Sequence, residues 1–419
     1  MRVGVLGSGG REHALAWSLA RSPEAQAVFV LPGNGGTREN VAVTPTDPDD
    51  VAAACERLGL DLLVVGGEEP LAAGVVDRLA ATSTLAFGPT AEAARLESSK
   101  LWAKRFMGRH GIPCAEHAEA ESASEVESAA ARWGGRLVVK ADGLAAGKGV
   151  AVCDSPRRAR EAWVELRESR PRGEAVFVEE PLEGWEVSVL CLTDGRAYGL
   201  LPSAQDHKAV YDGDVGPNTG GMGAFAPVSA FGADALDAVR RTVIEPTLAG
   251  MRSEGIVYRG FLYLGLMMTG EGPKVLEYNA RLGDPEAEVV LPLLRGDLLD
   301  AMVACCRGTW DGGGLSTKGG FAVDVVLASG GYPGAYTTGH EIVGLGDVDP
   351  DVLVFHGATL RQGGRLVTHG GRVLHIVGVS DSLDDAVDRA YRSADRIRFA
   401  GKHARRDIGR RGRCTASPC

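Results

Sequence analysis

Lysine is scarce in this chain: eight stand beside 37 arginines among 419 residues. Arginine is the default cation, so each lysine marks a place where a compact ammonium is a candidate requirement that a guanidinium fork does not meet. Long apolar runs are missing, and no stretch approaches the roughly 18–20 residues of a membrane span. The start, MRVGVLGSGG, enters a strand directly, with no basic-then-apolar signal region. Zinc-type CxxC pairs are absent too. The eight cysteines (positions 55, 114, 153, 191, 305, 306, 414 and 419) are scattered, which argues against a disulfide scaffold and predicts reduced thiols in the cytoplasm. No basic block stands out and the formal net charge is -10, so neither a nucleic acid nor a membrane is an expected partner.

Glycine, by contrast, is abundant: 58 residues, about twice the usual ~7%. It has no G-x-y period, which excludes collagen. With 44% hydrophobic and 24% charged residues, the chain has ample material for packed cores. At roughly 100–200 residues per domain it should form two to four of them.

Strand-like runs at 2–6, 27–33, 61–67 and 85–89 alternate with helical stretches, including 48–58 and 71–81. That spacing predicts a parallel α/β sheet over about the first 95 residues. Ligands on such sheets sit beyond the C-terminal strand ends, which here carry GSGGRE, PGNGG and GGEEP. Next come a helix at 97–110 and a hairpin of 136–140 with 149–153. A helix at 156–168 and strands at 175–180 and 186–192 follow. The expected order continues with a glycine-rich loop at 212–224, a helix at 231–252, strands at 260–268 and 274–280, and a helix near 286–304. A linker at 311–320 leads into a last domain of short strands and Gly-Gly turns, and the tail should be frayed.

Gly7-Ser8-Gly9-Gly10-Arg11-Glu12 is not a dinucleotide fingerprint, since its third glycine position is Glu12 and strand two ends without a ribose-binding acid. Its amides, at a helix start, suit a phosphate or carboxylate, or form a tight turn only. KADGLAAGKGV (140–150) lacks the Walker pattern. A loop of small residues between Lys140 and Lys148 either folds over phosphates or is a solvated hairpin. Glu179-Glu180-Pro181-Leu182 ends a strand, and Glu186 begins the next; this is an adenine-edge and ribose site or an ordinary acidic turn. Glu277 and Asn279 share one face of a strand because side chains alternate. Two oxygen ligands so placed suit the cation carried by nucleotide phosphates, and Arg281 and Asp284 follow at once. Asp206, His207, Lys208 and Asn218 lie on the long glycine-rich connection, where ligands are met. No Ser–His–Asp or Cys–His pairing supports a covalent nucleophile, so positioning and charge neutralisation are the expected chemistry.

These segments, in this order, resemble the glycinamide ribonucleotide synthetase family of the ATP-grasp superfamily. The resemblance covers residues 1–411 through GSGGREHALAW, PGNGGT, FGPTAEAARLESSK, KADGLAAGKGV, QDHK, GPNTGGMGA, GFLYLGLM, LEYNARLGDPE, GGYPGAY, VFHGAT, GGRVL and RRDIG. It implies an α/β and α+β multidomain chain. A Rossmann-like parallel-sheet domain (1–98) would bind substrate. An ATP-grasp region (99–310) would carry a mobile lid at about 118–184, followed by a small, β-rich α+β domain (311–411) and a tail (412–419).

The resemblance further implies ATP as the nucleotide, Mg²⁺ or Mn²⁺ as the cation, and a monomer acting on glycine and 5-phosphoribosylamine. Lys104, Lys140 and Lys148 would meet phosphates, under a loop with Gly143, Gly147 and Gly149. Glu179, Glu180 and Leu182 would frame adenine, Glu186 the ribose, and Glu277 and Asn279 the metal. Gly9, Gly10, Arg11, Asn34, Gly35 and Glu68 would hold phosphoribosylamine, and Asn218 and Arg281 would also bind substrate. Asp206, Lys208, Arg281 and Asp284, with Lys140 and Lys148, would surround the reacting groups. The chain departs from the family pattern in GGEEPL (66–71), in YNARLGDPE, and in a shortened 168–177 stretch near the lid. Two alternatives remain: another ATP-grasp ligase or carboxylase subunit, and a silent nucleotide-binding scaffold.

Overall fold

The Val- and Leu-rich runs of the first 90 residues form a four-stranded parallel sheet. In a computed structural model that describes residues 1–144, 149–169 and 175–413, its strand order is Ala27–Pro32, Arg2–Gly7, Leu62–Val65, Leu85–Phe87. Continuous apolar strands suit a parallel sheet covered on both faces, and here Val3, Val5, Leu62 and Val64 join one core and Leu6, Leu31 and Leu63 another. The first helix, α1 (Gly10–Leu19), starts directly beyond the first strand. The stretch expected as one helix at 71–81 divides into Glu68–Ala72 and Val75–Leu79, because Gly74 adopts φ +84° between them. Gly147 and Lys148 lie outside the described residues, as do part of the 168–177 stretch and most of the tail.

Two antiparallel sheets follow. The lid sheet runs His117–Glu119, Val176–Glu179, Leu137–Ala141, Val150–Cys153. One face, including Val139, Ala141, Val176 and Val178, packs with Ala129, Ala130, Ala159 and Ala162 of two helices. Alternation turns Lys140 and Glu179 to the opposite face. The central sheet runs Tyr198–Leu200, Trp185–Thr193, Gly260–Thr269, Gly272–Asn279.

The helix expected at 231–252 exists, but a π-helical turn at Arg240–Ile244 interrupts it. Pro246 explains the break, since it lacks the N–H that an α-helix would offer to Thr242. The helix near 286–304 is likewise divided, with Pro292 between Glu286–Val290 and Leu298–Arg307. The second piece is capped by Asp297, whose carboxylate accepts from the Leu299 and Asp300 amides. Within the expected linker, Ser316–Thr317 pairs with Leu294–Arg295.

The last sheet has five strands, in the order Gln205–Asp206, Gly223–Ala226, Phe321–Ala328, Arg372–Ser380, Leu353–His356. Two of its strands come from the glycine-rich connection, which also forms a hairpin of Ala209–Tyr211 with Val215–Asn218. The sheet therefore crosses the expected boundary at 311. A 14-residue helix, Leu383–Arg396, covers it; short strands and turns were expected to dominate there, and no helix was located.

Candidate active site

Lys140 on the lid face and Lys104 on the helix Lys100–Arg109 converge on one carboxylate. Their ammonium nitrogens lie 2.8 and 3.0 Å from Glu179 Oε2 and Oε1. All three side chains are at most 10% exposed. Lys104 also donates to the Ala115 carbonyl and Lys140 to the Leu276 carbonyl. Burial acts to raise the Glu179 pKa, but the two ammoniums outweigh it and hold the carboxyl below its usual range. The side chain expected to frame adenine thus anchors the two lysines. Glu180 accepts from the Glu116 amide and lies 3.6 Å from Lys274, and Leu182 stays half-buried beside it.

A second cationic centre lies on the central sheet. Lys208 Nζ donates to Glu186 Oε2 at 2.8 Å and lies 3.9 Å from Glu277 Oε1. Gly265 permits this approach: it sits between Ser188 and Glu277 in the ladder, and a Cβ there would be 3.0 Å from Glu277 Cγ. Burial raises the Asp206 carboxyl, Lys208 opposes this, and Glu286, Glu186 and Glu277 carry it up to about 7. Lys208, among these acids, is held well above its ordinary value despite burial. Beneath them, Ser188 and Tyr263 hydrogen-bond to Glu286 Oε1 at 3.0 and 2.9 Å.

Asn279 shares the face of Glu277, as expected. Its hydrogen-bond network turns the amide nitrogen towards Glu97 Oε1 (2.9 Å) and the Tyr278 carbonyl (3.1 Å). The amide oxygen is left for another partner. That donor set, one carboxylate and one amide oxygen beside a lysine, fits a hard divalent cation shared with phosphates.

A third charged group gathers at the start of the first helix. Gly9 N–H donates to Glu12 Oε2 (2.6 Å), and Arg11 pairs with Glu12 at 2.6 Å and with Glu68 at 3.8 Å. Arg281 bridges Glu68 (3.2 Å) and buried Glu97 (2.7 Å). Arg281, and then Arg11, depress the Glu68 carboxyl to about 2 against its burial. Asn34 is consumed internally: its amide donates to the Ser8 and His356 carbonyls and accepts from Gly36 N. Gly35 N donates to the Thr359 carbonyl. This turn therefore clasps the C-terminal region as well as edging the cleft.

Asp284 does not join Lys208. It faces Arg372 (2.9 Å) and His375 (3.7 Å) in a buried cluster. Asn218 is exposed on its hairpin. Gly143 adopts φ +80° and accepts from Lys100, and the Gly149 carbonyl accepts from Ala141 N. His207 is no free base: it is buried, its ring lies 6.2 Å from Phe225, and desolvation pushes it down to about 3. Sequence reasoning missed Glu97, Glu286, Glu288, Asp324, Arg372 and His375. The available signal was a charged residue inside an apolar strand, as in FAVDVVLA and RVLHIVGVS.

A parallel-sheet domain ahead of a lysine-bearing lid sheet and an acid-bearing central sheet defines the ATP-grasp fold. The biotin carboxylase domain of the 2-oxoglutarate carboxylase of Hydrogenobacter thermophilus shares it at TM-score 0.70 and 15% identity, over 96% of this chain and 91% of that one. Within that class, the chain belongs to the phosphoribosylglycinamide synthetase family, whose N, ATP-grasp (A) and C domain patterns match residues 1–97, 98–287 and 322–411. A phosphoribosylamine–glycine ligase of Chlorobaculum tepidum is 48% identical, over 98% of this chain and 99% of its own. The crystal structure of the Thermotoga maritima phosphoribosylamine–glycine ligase superposes at TM-score 0.84 with 38% identity, over 97% of this chain and 100% of that one. The protein is thus an ATP-dependent ligase, and no helix among its described residues is long and apolar enough to cross a membrane.

Proposed function

We propose that this site joins glycine to 5-phosphoribosylamine, forming glycinamide ribonucleotide, ADP and phosphate in purine synthesis. The observation that carries the proposal is Lys208, which brings together Glu186 and Glu277 from three separate chain segments. A glycine carboxylate oxygen attacks the γ-phosphorus of ATP, the bond to the ADP oxygen breaks, and glycyl phosphate forms. The amine of phosphoribosylamine attacks the glycyl carbonyl, loses a proton, and phosphate departs as the amide forms.

In this reading Lys104, Lys140 and Lys148 neutralise phosphate charge under the 143–149 loop. The backbone at 180–182 meets adenine, and Glu186 takes the ribose once nucleotide enters. Lys208 and Asp206 face the reacting carboxylate. Glu277 and Asn279 would hold Mg²⁺ or Mn²⁺, which when bound neutralises the phosphoryl oxygens. The amides of Gly9 and Gly10, with Arg11, offer the ribose phosphate a helix N-terminus. Glu68, Gly35 and Asn218 edge the same cleft. Arg281 and Asp284, already engaged in buried ion pairs, keep the domains in register, and lid closure shields the mixed anhydride from water. The reading includes a cytoplasmic monomer.

The test supplies purified protein with ATP, Mg²⁺, glycine and freshly generated phosphoribosylamine, and follows ADP and the amide together. Equimolar products that require both substrates are expected. ADP release driven by bicarbonate, or no glycine-dependent amide, overturns the assignment.

A further inference from the structure

Behind the first turn, three carboxylates and an imidazole meet where three regions of the chain join. Asp284 and Glu288 come from the segment after the metal-ligand strand, Asp324 from Phe321–Ala328, and His375 from Arg372–Ser380. Glu288, Asp324 and His375 are at most 1% exposed. His375 Nδ1 lies 2.7 Å from Asp324 Oδ2 and 3.7 Å from Glu288 Oε1, while Nε2 lies 3.7 Å from Asp284 Oδ1. Neither oxygen of Glu288 has a hydrogen-bond partner among the described residues, nor has Asp324 Oδ1. A buried carboxylate left so is costly unless something neutralises it.

We propose that Asp284, Glu288 and His375 form a divalent-cation site distinct from the Glu277–Asn279 pair. Asp284, Glu288 and His375 each bring one ligand atom within 4.8 Å of the others. The space is bordered from α1 by Gly10: a Cβ there would stand 2.5 Å from Glu288 Oε1 and 2.6 Å from His375 Nε2. Only glycine leaves that point open. Asp324, on Nδ1, fixes the tautomer that presents Nε2, the usual carboxylate support of a metal-binding histidine. Arg372 is the one cation paired with these carboxylates among the described residues, 2.9 Å from Asp284 Oδ1; nearby Arg11 is committed to Glu12.

With His375 neutral, three carboxylates face one guanidinium, and a divalent ion brings that sum to zero. One imidazole with two carboxylates selects a first-row ion such as Zn²⁺, Mn²⁺ or Co²⁺. Its role would be to bolt the start of α1 to the C-terminal sheet, whichever reaction the cleft performs.

The test uses the full chain stripped with chelator and then titrated with Zn²⁺ or Co²⁺. One ion per chain should bind in Glu277→Gln as in the wild type. Glu288→Gln and His375→Gln should each weaken binding at least tenfold. Asp324→Asn should weaken it by about 10–100-fold, as loss of a supporting carboxylate does. X-ray absorption of the Co²⁺ form of Glu277→Gln should show one imidazole and carboxylate oxygens. This readout decides the matter even if the other variants fail to fold. No bound ion, an all-oxygen shell, or affinity unchanged in Glu288→Gln and His375→Gln would overturn the proposal.

Discussion

Replacing Glu179 by glutamine keeps the shape of its side chain but removes the charge that two lysines share. At 2.8 and 3.0 Å, each contact has a gross attraction of about 5–6 kcal/mol at an effective dielectric near 20. Desolvation offsets much of it, and breaking a buried pair by removing one partner typically costs about 3–5 kcal/mol. Lys104 and Lys140 retain their carbonyl partners, which places the expected loss near the lower end, about 3 kcal/mol. Urea unfolding, followed through the lid indoles Trp133 and Trp163, reads it as a lowered midpoint at constant slope.

The decisive comparison is Lys104→Met in the Glu179→Gln background. If the cost is an orphaned buried ammonium, removing that ammonium should restore at least about 1 kcal/mol, although nucleotide binding falls further. A single variant within about 0.5 kcal/mol of wild type, as for an ordinary surface change, would refute the reasoning. So would a double variant no more stable than the single one.

Other expectations follow from separate parts of the cleft. Glu277→Gln should lower kcat for glycine-dependent ADP release at least tenfold while leaving circular dichroism and the urea midpoint in place, because its side chain is 39% exposed; an equal loss of folded protein would count against a metal role. Gly10→Ala drives a methyl to 2.5 Å from Glu288 Oε1 and His375 Cδ2. It should cost about 1–3 kcal/mol and raise the KM for phosphoribosylamine more than that for ATP. The Glu68 carboxyl is held at about 2 when folded and titrates near ~4.3 when unfolded. Its ionised form therefore stabilises the fold fully above that unfolded value and progressively less as pH falls towards 2. The gap in urea midpoint between wild type and Glu68→Gln should narrow between about pH 5 and pH 3; a constant gap would exclude the ion pair with Arg281 as its source.

Elements that carry their own periodicity were legible in the sequence. The parallel sheet announces itself through RVGVLG, AVFVLP and LLVV, and the lid hairpin through apolar runs on both sides of a glycine loop. The helix Leu383–Arg396 carried the same kind of signal, with Leu383, Ala386, Val387, Ala390, Tyr391 and Ala394 at helical spacing, but it sits among short strands and Gly-Gly turns and was not placed there. The strands Gln205–Asp206 and Gly223–Ala226 are too short to signal themselves and are defined by partners far along the chain. Charged positions in the site were legible as types at spacings. Their pairing was not: nothing local to Glu179 says that it will lie between Lys104 and Lys140, since that depends on how a helix packs against the lid. Asp324 and His375 were hidden by the apolar strands that hold them.

The shared sheet gives assembly of this enzyme an order. Ala224 pairs with Asp324, about 100 residues later, so the connection bearing Asp206 and Lys208 lacks its lateral partner while the N-terminal and lid sheets can already pair. Such distant pairing is slow to form because a long loop must close first. On the ribosome the reactive half of the cleft should therefore be the last part to set, after Phe321–Ala328 has emerged. Chains interrupted before that strand would present an unpaired edge at Gly223–Ala226, open to association with other chains. Supplying residues beyond 311 as a separate fragment should rescue them by completing the sheet.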